Sequence, residues 1–129
     1  MNVETIRLSE SAKRQLISIK RRTGIDQWNT LCRWAFCISL AEKNRIGTHT
    51  SERSSNIEMT WKTFAGRHAD MYEAIVRYSI IKCQSPEVSE LEFVVGHIEH
   101  GLSRLSNVNE VSSIADLLGV AIDTSTKTR

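Results

Sequence analysis

Five cations crowd one short stretch of this chain: Lys13, Arg14, Lys20, Arg21 and Arg22, opposed between Ser9 and Arg22 only by Glu10. Side chains of this type hold phosphate oxygens. On a duplex each such contact releases condensed counterions and makes binding steeply salt-dependent. A single cluster is usually a solvated helix face; repeated by symmetry on an oligomer, it becomes a grip on a polyanion. Lys13, Lys20, Arg21 and Arg22 are the expected phosphate contacts, joined by Arg7 from the segment just before. Arg7 is also the one strong base reader there, through a bidentate contact to guanine. One such residue per strand is poor material for sequence specificity, so backbone recognition is expected rather than operator reading.

Other constellations carry less. His97 and His100 share a helix face with Glu99 between them, but two histidines fall short of the three or four ligands zinc takes. An ordinary helix surface is the expected role, and no metal is expected. His49 and His68 have no spacing that recruits them. Cys32 and Cys37 stand about 140° apart on a helix, so they neither bridge nor chelate together; with Cys83 they read as buried structural thiols of a reducing cytoplasm. There is no nucleophile elbow, phosphate loop, paired Cys-x-x-Cys or HExxH. No catalytic residue and no cofactor are expected.

The elements that must position these groups read as follows. Val3–Leu8 alternates like a short strand, with Ile6 and Leu8 inward. Ser9 is placed to cap a helix running to Arg22, with Ala12, Leu16 and Ile19 inward and Gly24 set to take the left-handed closing conformation. Asp26 reads as the cap of a second helix, Trp28 to Ala41. Trp28, Leu31, Trp34, Ala35 and Ile38 form one apolar face of it, and Cys32, Phe36, Cys37 and Leu40 much of the rest. A helix apolar nearly all round must be buried on all sides. In so small a domain a subunit interface through Trp28, Cys32, Phe36 and Leu40 is the expected means. Arg33, in its middle, either pairs with a carboxylate at that interface or lines a central basic surface; the pairing is expected, because an unpaired buried guanidinium is costly.

Residues 44–56 read as a mobile polar loop. From Ile57 to Lys82 the pattern is helical, with Trp61, Phe64, Met71, Tyr72, Ile75, Val76 and Ile80 as core and Gly66 as a break. Past Ser85-Pro86 a further helix is expected from Glu87 to Leu105, with Leu91, Val94, Val95, Ile98, Leu102 and Leu105 inward. Gly96 and Gly101 in it either admit a close neighbour or weaken it. A short helix at Val111–Leu118 and a frayed tail at 124–129 complete the reading.

At 129 residues the chain makes one domain. It is expected to be mainly α with a short N-terminal strand: a single helical domain over 1–123, comprising a strand–helix–helix part (3–43), the loop (44–56) and a helical layer (57–118). The net charge of +2 hides an asymmetry: residues 1–46 hold nine Lys/Arg against four Asp/Glu, and residues 47–129 hold eight against eleven. The basic half points to a polyanion. No apolar leader is visible, and no apolar run approaches the ~20 residues of a membrane helix.

Three strings, ETIRLSESAKRQLISIKRRTGI (4–25), WNTLCRWAFCISLAE (28–42) and EMTWKTFAGRHADMYEAIV (58–76), resemble the DndE family of bacterial DNA sulfur modification (phosphorothioation) proteins. The match covers roughly Val3 to Leu105. The resemblance implies a ribbon-helix-helix-like N-terminal part embedded in a compact helical domain. It also implies homo-oligomers, typically tetramers, and association with double-stranded DNA, including nicked duplex. The implied company is a cysteine desulfurase, a reductase-like iron–sulfur protein and an ATPase. Residue reading and resemblance agree on a non-catalytic DNA-binding or scaffold subunit. The alternatives are a ribbon-helix-helix transcription regulator, or a pure protein-interaction subunit whose basic faces meet acidic proteins.

Overall fold

A computed structural model describes residues 5–42, 54–82 and 88–106. Strand β1 (Thr5–Ser9) buries Ile6 and Leu8 and exposes Thr5 and Arg7, the two-residue period of an extended chain. Its last residue serves two elements. Ser9 Oγ accepts from Ala12 N at 3.2 Å, capping helix α1 (Glu10–Thr23), and donates to Glu99 Oε1 at 2.7 Å. Helix α1 buries Ala12, Leu16 and Ile19 and closes on Gly24 at φ 75°, whose N–H donates to Lys20 O. A side chain at that φ would be strained, so the glycine sets where the chain turns. Asp26 does not cap the next helix. Helix α2 (Trp28–Ala41) follows Gln27, which is extended and makes no side-chain cap bond, so Asp26 lies one residue too early to reach the first free N–H groups.

The expected helix from Ile57 is corrected at its start. Ser54–Thr60 forms strand β2, with Ser55, Ile57 and Met59 buried and the residues between them exposed. It pairs antiparallel with β1 in the register Thr5↔Thr60, Ile6↔Met59 and Arg7↔Glu58, with an irregularity between Arg7 and Ser9. The alternation is present in the sequence, but it runs straight into Trp61 and Phe64 and is absorbed by their helical spacing. Thr60 Oγ1 then accepts from Thr63 N to cap the short helix α3 (Trp61–Ala65). Gly66, at φ 63°, breaks the chain into a 3-10 turn before α4 (Ala69–Lys82). Helix α5 (Glu90–Ser106) follows Ser89, whose Oγ accepts from Glu92 N.

Helix α5 runs through the middle. It buries residues 93–98, Gly101, Leu102 and Leu105, and packs chiefly on α2 but also on α1, β1 and α4. The tightest point is Gly101: a Cβ there would lie 1.9 Å from Ala35 O. The glycine is therefore an admission point for α2 and not a weakness.

Much of the apolar surface of α2 is covered inside one chain. Leu31, Cys32, Ala35, Phe36, Ile38 and Ser39 are all buried. The Phe36 ring meets Phe64 edge-on at 5.6 Å, with Tyr72 and His97 each at 6.1 Å. With α5 packed along the helix and α3 and α4 reaching Phe36, Cys32 and Phe36 have no surface to offer a second subunit. Trp28 and Leu40 stay partly exposed. Two expected core residues are outside: Met71 and Leu91 are 50% and 41% exposed. Cys37 is exposed too, unlike Cys32. The expected helix at 111–118, the tail, Cys83 and residues 44–53 lie outside the described residues. Among the described residues no helix is long and apolar enough to cross a membrane.

Candidate nucleic-acid interface

The cations of α1 follow from its inward stripe. With Ala12, Leu16 and Ile19 turned to the core, Lys13, Arg14, Ile17, Lys20 and Arg21 share the outer side, within about 120° of arc at 100° per residue. Lys13 stands seven residues from Lys20, and Arg14 seven from Arg21, so two rows of cations about 10 Å long run along the helix. Ile17, between them, is 39% exposed.

What these cations touch decides whether their charge is free to act. Lys13 Nζ donates to Asn56 Oδ1 at 2.8 Å, and Arg14 Nη2 to Ser11 Oγ at 3.3 Å. Lys20 Nζ stands 4.7 Å from the centre of the Trp28 ring, a cation–π contact that orients the ammonium and leaves its charge intact. Arg21 is exposed. Arg22, on the flank nearer α5, donates from Nη1 to Ser106 O at 3.4 Å. The partners of Lys13, Arg14 and Lys20 are thus neutral groups that position cations without cancelling them. Neither Asn56 nor the Trp28 contact is legible in the sequence, since both depend on β2 and the Gly24 turn folding back on α1.

Arg7 differs. The strand register sets it directly across from Glu58, and the two form an ion pair. It therefore carries its own counter-charge. Arg33 is held within its own chain: its Nη1 donates to Phe64 O at 2.8 Å and its Nη2 to Thr30 Oγ1 at 3.3 Å, a carbonyl and a hydroxyl. With Thr30, Trp34, Cys37 and Tyr72 it lines a groove of about 310 Å³ on the side of α2 nearest α4.

His97, Glu99 and His100 are not an ordinary helix surface. His97 is buried, and its Nδ1 shares a 2.6 Å hydrogen bond with Ser39 Oγ; His100 Nδ1 meets the same oxygen at 3.1 Å. One hydroxyl proton serves only one of the two rings, so the other ring must donate. Burial, with His100 adding to it, pulls His97 from the ordinary 6.5 down to about 4. Glu42 bonds Arg104 Nε at 3.0 Å, and Glu99 accepts from both the N–H and the hydroxyl of Ser9. Ser39 beside His97 has the make-up of a nucleophile and base, but both are buried and the pair ties α2 to α5. Burial likewise pushes the Cys32 thiol up to about 12, against a small opposite pull from Arg33, far from the thiolate that sulfur chemistry requires. Among the described residues no three His, Cys, Asp or Glu side chains are grouped to hold a metal ion.

Comparison with known proteins gives matches of two kinds. The family model for DNA sulphur modification protein DndE matches residues 5–113. Among solved structures, DndE from Escherichia coli B7A, described as involved in DNA phosphorothioation modification, is similar with a TM-score of 0.63 at 20% identity, covering 81% of this chain and 99% of that one. At that identity the likeness shows the fold. No curated protein matches.

Proposed function

Because this chain belongs to the DndE family of DNA sulphur modification proteins, we propose that it is the non-catalytic DNA-holding subunit of a phosphorothioation system. In this reading a homo-oligomer, typically a tetramer in the family, repeats the α1 patch and holds the duplex backbone, nicked or intact. Partner proteins, among them a reductase-like iron–sulfur protein and an ATPase, carry out the chemistry in the cytoplasm. The observation that carries the reading is the outer side of α1. Lys13, Arg14 and Lys20 are held by neutral partners and Arg21 is exposed, so the row keeps its positive field for a polyanion. Lys13, Lys20, Arg21 and Arg22 are the proposed phosphate contacts. Arg7, held by Glu58, has the smaller part. That pairing also counts against a base-reading transcription regulator, since the one strong base reader of β1 is already engaged.

The test is fluorescence anisotropy with intact and nicked duplexes of unrelated sequence across a salt series. Similar affinity for every sequence, falling steeply with salt, is expected. Tighter binding of nicked duplex would identify a backbone break as the feature sensed. No binding near 100 mM salt would sink the reading in favour of a protein-interaction subunit, and strong preference for one sequence would sink it in favour of a regulator.

A further inference from the structure

Helix α4 is apolar on two opposite sides, and only one is covered. Tyr72 and Val76 face the core. Across the helix from them, Met71 is 50%, Tyr78 63% and Ile81 76% exposed, with Ala74 exposed among them. At 100° per residue these four fall within about 80° of arc, so they form one stripe. Single exposed apolar residues are unremarkable, but a stripe along a whole helix marks a contact surface. The residues of the stripe are themselves uncharged, and of the two cations at its borders Arg77 is paired with Glu73 at 2.8 Å, so it does not suit a duplex.

We propose that this face receives a second copy of the chain, the two α4 helices packing antiparallel about a two-fold axis level with Val76. The inference rests on the homo-oligomer reading above and relocates its interface from α2, where Cys32 and Phe36 are covered by the chain itself. The stripe is complementary to itself in that orientation. Small Ala74 of one copy lies level with large Tyr78 of the other, and Met71 level with Ile81, as a self-complementary two-fold interface requires. The charges agree: Asp70 occupies the first turn and Lys82 the last, so antiparallel packing brings acidic and basic ends together. Lys82 Nζ rests 5.7 Å from the centre of the Tyr78 ring, a contact that leaves its charge uncancelled. Parallel packing would set like ends against each other.

Sedimentation equilibrium of the full chain tests this. The native protein is expected at a multiple of the single-chain 14.6 kDa. Tyr78→Glu with Ile81→Asp should at least halve the mass while leaving helix content intact, because both residues are surface residues of the single chain. Asp70→Lys and Lys82→Asp should each weaken association several-fold, and the double exchange should restore it. A native mass of one chain would overturn the homo-oligomer reading together with this interface. An unchanged oligomer in the Tyr78/Ile81 variant would leave that reading standing and overturn the α4 interface alone. A double exchange weaker than either single exchange would overturn the antiparallel arrangement.

Discussion

Replacing Gly101 with alanine should destabilise the protein, although the same change in most helices does the opposite. In an open helix, Gly→Ala gains about 1 kcal/mol from backbone entropy and helix propensity. Here the added Cβ would sit 1.9 Å from Ala35 O, 2.4 Å from its carbonyl carbon and 2.6 Å from its Cα. All three are backbone atoms, so no rotamer change relieves the clash; α2 must move off α5 by about 1.5 Å to restore ordinary contact. That displacement opens the main helix–helix contact of the core, where overpacking costs about 1–3 kcal/mol and occasionally more. With three backbone atoms inside contact distance the upper part of that range applies, giving a net loss of about 1–2 kcal/mol. For a domain of this size the melting temperature should fall by roughly 4–7 °C. Thermal and urea unfolding followed by far-UV circular dichroism measures it directly. A variant as stable as the parent, or more so, would refute the reasoning, because it would mean that α2 and α5 do not approach as closely as the Gly101–Ala35 contact requires.

Three further outcomes are expected. His97 is held near 4 in the folded chain against about 6.5 when unfolded, so the unfolded state takes the proton first as pH falls. Its contribution is whole above about pH 6.5 and is lost between there and about pH 4, roughly 3 kcal/mol in all. Urea unfolding at pH 7.5 and 4.5 should show that loss in the parent and little of it in His97→Gln; equal losses would contradict it. Ser39→Ala leaves two imidazole nitrogens without their shared partner and should cost about 1–3 kcal/mol at pH 7.5 by urea denaturation; a neutral effect would mean that the cluster does not couple α2 to α5. In duplex binding, Lys20→Ala and Arg21→Ala should each lower the salt slope by about 1 at matched duplex length, whereas Arg7→Ala, which loses a cation already paired with Glu58, should change it by much less. An Arg7 effect as large as that of Lys20 would place the phosphate path over the strands.

The N-terminal part could be read locally because its determinants are local. The alternation of Ile6 and Leu8, the Ser9 cap, the stripe of Ala12, Leu16 and Ile19 and the left-handed Gly24 each depend on residues within a turn or two, and all stand as the chain suggests. The same stripe fixes which cations of α1 face outward, so the candidate phosphate contacts follow from periodicity alone. Charge neutralisation does not. That Arg7 meets Glu58 while Lys13 meets Asn56 is a matter of strand register across 51 and 43 residues, and β2 itself is hidden where its alternation runs into α3.

The fate of α2 shows the division most clearly. Its residues establish that it must be covered on nearly all sides, but hydrophobicity carries no direction and cannot say by what. Only the tertiary packing decides that α3, α4 and α5 enclose Cys32 and Phe36, that His97 and His100 turn inward to Ser39, and that the uncovered apolar surface falls on α4. The sequence by itself determined the helices and the charge, and of the strands only β1, because helix, strand and cap preferences are short-range. The structure decided which charges are spent and which faces remain open, because those depend on partners distant along the chain.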